Sequence, residues 1–289
     1  TPYNLGSTGL HYAIGASDST SLGDGSPAKM KLGAFHVYNT SLSQQQVLNN
    51  YNYTKSNYIY TGSMSIWIDA NDPASFSGGL ISDLSGNGYN FIINASAYNS
   101  SGPKYMDFNG SYGCAKKTST DVPLSGNATC ICWTRVKNST AEWRTLLRGL
   151  SSGADHQVII QSGAWAIGMY DNTNGTGFNS NGFSQQSLPA YGTSSWDMLV
   201  WRWYDAEVPY HLFSYNETAG LIRGSISSAN ARFKHGFCSV GAYNNGDQNN
   251  PNASSQPWGD IGMISLYDRV LHPYEINEYY QATRARFGR

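Results

Sequence analysis

Hydrolysis of a glycosidic bond needs two or more carboxylates facing one cleft, one as nucleophile or base and one as acid, and this chain offers few candidates. Glutamate occurs only at 142, 207, 217, 275 and 278. Glu207 and Glu217 straddle an expected hairpin, Asp205 to Tyr215, and read as solvated turn charges. His11, His36, His156, His211, His235 and His272 fall in no H-x-x-x-H or H-E-x-x-H spacing, so neither zinc ligation nor a catalytic triad follows from them. Asp69, Asn71, Asp72, Asp83 and Asn87 form a polar cluster with two readings: hard oxygen ligands for calcium, or caps on the turns around an opening strand. The chain is expected to be non-catalytic, and calcium is the one cofactor with any candidate ligands.

Aromatic side chains that face solvent together stack on sugar rings. Trp165, Trp258 and Tyr243 are the candidate ligand-binding residues, with Tyr170 and Tyr191 also near expected loops. Trp133, Trp196, Trp201 and Trp203 have the context of sheet residues. Arg284, Arg286 and Arg289 suit the C-terminus of a helix electrostatically and need no ligand.

The four cysteines, Cys114, Cys130, Cys132 and Cys238, allow three disulfide pairings if oxidised, and their spacing fits no zinc site. Cys130 and Cys132 sit two apart in an expected strand, so both point to one face. The alternative is four buried free thiols acting as small hydrophobes. Ten N-x-S/T sequons, at Asn39, Asn52, Asn94, Asn99, Asn109, Asn127, Asn138, Asn174, Asn216 and Asn252, exceed by about twofold what chance gives for so short a motif. Together, disulfides and sequons point to an oxidising, glycosylating route and an extracellular or virion-surface location.

A chain of 289 residues with 40% apolar content fills a sizeable core. Charged residues make up 13% and balance to −1, so no electrostatic field exists to hold nucleic acid or an anionic membrane. No apolar run approaches the eighteen or so residues of a membrane span; Arg202 interrupts the stretch from Met198 to Trp203. Beginning at Thr1, with neither initiator methionine nor apolar leader, the chain is expected to be a processed product or a piece of something longer. The abundance of Gly (31) and Tyr (21) suits an all-β protein, with glycine in turns and tyrosine on half-buried pleats.

The elements that must position these groups show an internal repeat. Residues 32–58 align without a gap to 261–287, pairing Gly33 with Gly262, Tyr38 with Tyr267, Leu42 with Leu271, Val47 with Ile276, Tyr51 with Tyr280 and Thr54 with Thr283. Upstream, HYAIGAS from His11 resembles FCSVGAY from Phe237. Each copy reads as strand, loop, strand, short helix. In the first, alternation over Ala34, Phe35, His36, Val37 and Tyr38 predicts a strand, and Ser43 with Gln46 a capping box for a helix that turns Val47, Leu48 and Tyr51 inward. In the second, Pro273 takes the first helical position, Glu275 the capping slot, and Ile276, Tyr279 and Tyr280 the apolar stripe. Residues 1–58 are therefore expected to be a partial domain, 59–62 a linker and 63–289 a complete domain. Strands are predicted within the latter at Ser65–Asp69, Lys104–Phe108, Gly113–Lys117, Thr129–Val136, Arg144–Arg148, Gln157–Ile160, Trp165–Tyr170, Met198–Tyr204, Tyr210–Tyr215, Phe237–Tyr243 and Asp260–Tyr267.

With those segments in order, residues 63–289 resemble a laminin-G or concanavalin A-like jelly-roll domain of phage, viral and bacterial surface proteins. SIWIDANDPASF, ISDLSGNGYNF, KYMDFNGSYGC, ATCICWTRVK, SSWDMLVWRWYD and FCSVGAYN carry the likeness, and WGDIGMISLYDRVLHPYEINEYY is its most specific part. The resemblance implies an all-β sandwich with short C-terminal helices. It departs from the family in reducing the acidic pair of the last strand to Asp260, and it lacks the E-x-D-x-x-E motif of the hydrolases built on this architecture. A partial sandwich has bare edges that need partners, so the expected function is a non-catalytic structural surface protein, self-associating into a fibre or array through its N-terminal segment. A lectin-like, glycan-binding adhesion module is the alternative.

Overall fold

The computed structural model describes residues 37–38, 40–47, 63–108, 115–117, 122, 127–136, 143–148, 156–160, 167–171, 176–177, 195–203, 210–216, 220–226, 239–242 and 256–289. The chain divides into two compact units, Thr1–Ile59 and Tyr60–Arg289.

The larger unit is an all-β sandwich. Among the described residues its first sheet runs β15 (Gly220–Ile226), β14 (Tyr210–Asn216), β13 (Asp197–Trp203), β8 (Ala128–Val136), β17 (Gly259–Tyr267), β6 (Tyr105–Phe108) and β5 (Tyr98–Asn99), with β1 (Met64–Asp69) also paired to β17. The second runs β12 (Thr176–Gly177), β11 (Ile167–Asp171), β10 (His156–Ile160), β9 (Arg144–Arg148), β16 (Ser239–Val240), β7 (Ala115–Lys117), β4 (Phe91–Ile92), β3 (Leu80–Ile81) and β2 (Phe76–Ser77). Adjacent strands such as β8 and β17 pair antiparallel.

Each of the eleven predicted strands overlaps an observed one, and Arg144–Arg148 matches at both ends. The two-residue strands β2, β3, β4, β5 and β12 are too short to show period-two alternation, and Gly220 and Gly224 dilute it in β15. The predicted strand Phe237–Tyr243 keeps only Ser239–Val240 in its described part. Gly241 ends it: its φ is +86°, and a Cβ there would lie 2.1 Å from the Phe108 ring.

The core lies between the sheets. Cys130, Cys132, Leu199, Trp201, Ile264 and Leu266 of the first sheet meet Phe91, Leu146, Val158, Ile160 and Val240 of the second. All nine residues of β8 are buried, because both of its faces are covered. The alternate set, Thr129, Ile131, Trp133 and Arg135, points away from the core toward the chain's C-terminus. There Trp133 stacks on Phe287 at 4.5 Å and on Tyr280 at 5.6 Å, and its Nε1 donates to Thr283 Oγ1 at 2.8 Å.

The helix Pro273–Thr283 begins where the sequence places it, with Pro273 in the first turn. Its N-cap is His272: the ring Nδ1 accepts from Tyr274 N–H, and the His272 N–H donates to Glu275 at 2.8 Å. Ile276, Tyr279, Tyr280 and Thr283 are buried against the sheet. No described helix is long and apolar enough to cross a membrane.

β17 is the hinge of the topology. One edge lies along β8; the other is shared, Gly259–Ile261 pairing with β6 and Met263–Tyr267 with β1. The change of partner falls at Gly262, where the register against β8 also slips and whose carbonyl accepts the Ala70 N–H at 3.0 Å. A Cβ at 262 would stand 2.3 Å from the Phe287 ring, so only glycine lets the C-terminal turn lie this close.

In the smaller unit, Ser43 and Gln46 form the expected capping box. Ser43 N–H donates to Gln46 Oε1 at 2.8 Å, and Gln46 N–H donates to Ser43 Oγ at 3.2 Å. A helical turn follows at residues 44–47. Two expectations are corrected: Val37 and Tyr38, the described end of the predicted strand, belong to no strand, and Val47 faces solvent rather than inward. Ala34, Leu48 and Tyr51 lie outside the described residues.

Candidate functional site

Among the described residues, charge and aromatic rings converge on a sheet face in a row crossing β6, β17 and β8. Met106 and Phe108 take the core side of β6, which turns Tyr105 and Asp107 to the opposite face. Asp260 lies directly across the ladder from Asp107 on one side and Arg135 on the other. Arg135 Nη2 and Asp260 Oδ2 are 2.6 Å apart. The guanidinium carbon sits 4.8 Å from the Tyr105 ring centre and 4.4 Å from that of Trp196, a double cation–π contact. Trp196 in turn meets the Phe287 ring at 5.2 Å, and its carbonyl accepts from Arg289 Nε at 2.6 Å.

Asp260 is fully buried. Burial pushes its carboxyl up to about 7, with Arg135 pulling the other way and Asp107 adding to the rise. That value suits proton transfer. The geometry does not: Arg135 closes on the carboxylate, and Tyr105 and Trp196 close on Arg135.

Sequence reasoning singled out Asp260 and missed Arg135, Tyr105 and Trp196 as its partners. Arg135 carried a readable signal, being the one charged residue in the otherwise neutral strand ATCICWTRV.

Other described carboxylates are also engaged. Asp69 pairs with Arg286 at 2.5 Å and accepts from Asn71 N–H at 2.9 Å. Asp83 Oδ1 accepts from the N–H groups of Trp67 and Ser85, and its Oδ2 from Ser85 Oγ and Tyr89 N–H. Asp72 accepts from Ala74 N–H at 2.8 Å, and Asn87 Nδ2 donates to the carbonyls of Met64 and Ser65. Of the two readings of this cluster, the structure displays turn caps. Among the described residues no group of three or more His, Cys, Asp or Glu is gathered to hold a metal. The Glu275 carboxyl sits below its ordinary range because Arg269 hydrogen-bonds it, at 2.6 and 2.9 Å.

The basic ending does more than complement a helix end. Arg286 ties the last turn to β1 through Asp69, and Arg289 ties it to Trp196.

Cys130 and Cys132 are free thiols inside the core, which corrects the disulfide expectation for this pair. Both face the opposing sheet, and burial pushes both thiols well up, away from thiolate chemistry. Cys114 and Cys238 lie outside the described residues. Trp258 is also corrected: it is an interior residue, edge-on to Trp201 at 6.4 Å, with Nε1 donating to Thr134 Oγ1 at 2.7 Å. Trp165, Tyr243 and Tyr191 fall outside the described residues, and Tyr170 is half-buried on β11. His156 is buried, and burial with Arg148 alongside pushes it down to about 3, so it stays neutral.

Among the sequons, Asn127 is exposed and Asn94 and Asn99 are half-buried. Asn94 Oδ1 caps a short turn by accepting from Ser96 N–H, and Asn99 Nδ2 donates to Tyr105 Oη at 2.8 Å. Asn216 ends β14. Asn39, Asn52, Asn109, Asn138, Asn174 and Asn252 lie outside the described residues.

No protein-family model and no curated protein matches the chain. Among solved structures it is similar to Trypanosoma rangeli sialidase in complex with the inhibitor DANA, with TM-score 0.46 and 14% identity over 78% of this chain and 33% of that one. For the same sialidase in complex with sialic acid the values are 0.47 and 10%, over 84% and 39%. For the CBM40 of Ruminococcus gnavus IT-sialidase bound to α2,3-sialyllactose they are 0.36 and 17%, over 52% and 79%. The chain thus spans only about a third of the sialidase it overlays. Overlaps this low assign it to no family and bring it neither an activity nor a ligand.

Proposed function

We propose that the chain is a non-catalytic module of an extracellular or virion surface, a laminin-G-like sandwich that works by association through its N-terminal segment. The observation that carries the non-catalytic part is the closure of Asp260. The carboxylate best tuned for proton transfer is held at 2.6 Å by Arg135 beneath two aromatic rings, and Asp69 and Glu275 are held in the same way by Arg286 and Arg269. The sequons support the surface location.

The test is a panel of α- and β-glycosides and oligosaccharides offered to the wild-type protein and to Asp260→Asn. No turnover by either is expected; turnover by the wild type that Asp260→Asn abolishes overturns the reading. Location is checked by expression through a secretory pathway, where removal of N-linked glycans must lower the intact mass. Glycan binding without catalysis is the second reading, and a glycan array decides it.

A further inference from the structure

We propose that Asn87 is a site of self-modification: its side-chain amide is lost by cyclisation with the Gly88 backbone, and the carboxylate left behind unfastens a loop from the start of β1.

Asn–Gly steps occur at Asn87, Asn109, Asn174, Asn181 and Asn245, and Asn87–Gly88 is the one that falls within the described residues. Such a step is reactive because glycine has no Cβ to obstruct its backbone nitrogen, which can reach the preceding Cγ and close a succinimide ring. Here the approach is open. Gly86, Asn87 and Gly88 are all exposed, and Gly88 has a φ of +74°, with nothing within 4 Å of where a Cβ would stand.

The amide at risk is a clasp. Asn87 Nδ2 donates to the Met64 carbonyl at 2.9 Å, to the Ser65 carbonyl at 3.1 Å and to Ser85 Oγ at 3.0 Å. All three partners are acceptors: the carbonyls have no proton to give, and Ser85 Oγ directs its own toward Ser65 O and Asp83 Oδ2. An amide supplies the donors this position needs, whereas an ionised carboxylate only accepts. Asp83 lies on the far side of Ser85, so a charge at residue 87 would also be the second anion of the loop. Below the clasp two backbone hydrogen bonds continue the fastening, Leu84 N–H to the Trp67 carbonyl at 2.8 Å and Trp67 N–H to Asp83 Oδ1 at 3.0 Å.

The chemistry needs only water. The Gly88 nitrogen attacks Asn87 Cγ, the Cγ–Nδ2 bond breaks, and ammonia departs with the proton that the Gly88 nitrogen gives up. Water then opens the ring at either carbonyl, leaving aspartate or, with the main chain rerouted through Cβ and Cγ, isoaspartate. Both carry a new negative charge. The three hydrogen bonds restrain the leaving nitrogen, so the fold slows the reaction; it proceeds through openings of the loop. Each conversion is one-way, because the product cannot remake the clasp.

The folded wild type is aged in warm, mildly alkaline buffer beside a sample in denaturant, and peptide mapping follows residue 87 in both. Aspartate and isoaspartate should accumulate at 87 in the folded sample, more slowly than in denaturant, and ion exchange should separate the modified molecules as an acidic fraction. In molecules modified at 87, the Trp67 and Leu84 amides should exchange roughly tenfold faster or more than in fresh protein. Asn87→Asp should reproduce that change. Asn87→Gln, whose longer side chain closes a ring far less readily, ages at the other Asn–Gly steps alone and isolates the contribution of 87. Should Asn87→Asp fail to fold, the aged fraction, made from folded protein, carries the comparison. Asn87 intact in the folded sample after the denatured one has converted overturns the proposal, as do Trp67 and Leu84 amides that exchange at the original rate once 87 is modified.

Discussion

Asp260 and Arg135 face each other across the β17–β8 ladder, 2.6 Å apart, with the acid fully buried and the base roofed by Tyr105 and Trp196. Removing the base strands the acid. Arg135→Met should cost about 3–5 kcal/mol in chemical denaturation, and Arg135→Met with Asp260→Asn should recover part of that loss.

The same acid sets a pH dependence. Its folded value of about 7 lies above the ordinary 3.8, so the folded protein binds the proton more tightly than the unfolded chain. The stability it lends is fully present below about pH 4 and is lost as pH rises through 7. Melting temperature should fall from pH 5 to pH 8 in the wild type, and less so in Asp260→Asn. Equal pH slopes in the two proteins would contradict the assignment.

Gly262→Ala drives a methyl into the Phe287 ring and should destabilise by about 1–3 kcal/mol, the usual cost of overpacking. Amide exchange should quicken first at residues 284–289, which that ring anchors. Gly241→Ala meets both the Phe108 ring and a positive φ and should cost more than Gly262→Ala.

Cys130 and Cys132 should resist a thiol reagent in the native protein and react fully once unfolded without reductant. Peptide mapping after alkylation reads this directly. A disulfide-linked peptide containing either residue would refute their assignment as free core thiols.

Arg286→Ala leaves Asp69, which is buried on β1, without its cation. The expected loss is about 1–3 kcal/mol. Arg286→Lys should restore part of it, because a point charge replaces the planar fork.

The fold was legible where burial imposes a period on residue types. ATCICWTRV and GDIGMISLY are long and buried on both faces, and their limits could be set within a residue or two. The helix was legible from Pro273 and Glu275, whose roles are local. The rest depended on contacts far apart in sequence. Cys130 and Cys132 have the same spacing whether they bond to another cysteine or pack, and the opposing sheet alone decides. Trp258 sits beside a predicted loop, yet Thr134 and Trp201 enclose it. Arg135 and Asp260 are 125 residues apart, and their pairing exists only through the register of β8 against β17. Val47 is the inverse case: its pattern is that of a buried residue, and the chain leaves it in water.

The sharing of one edge of β17 by β6 and β1 fixes an order of events during synthesis. β1 emerges early but has no other strand partner among the described residues, and Asp69 at its end is separated from Arg286 by 217 positions. The first described strand of the sandwich must wait for the last, so the nascent unit keeps an open seam along β1 until Gly259–Tyr267 has been made. Closure over so long a span is slow, and a chain cut before Gly259–Tyr267 should be left with that seam unsealed.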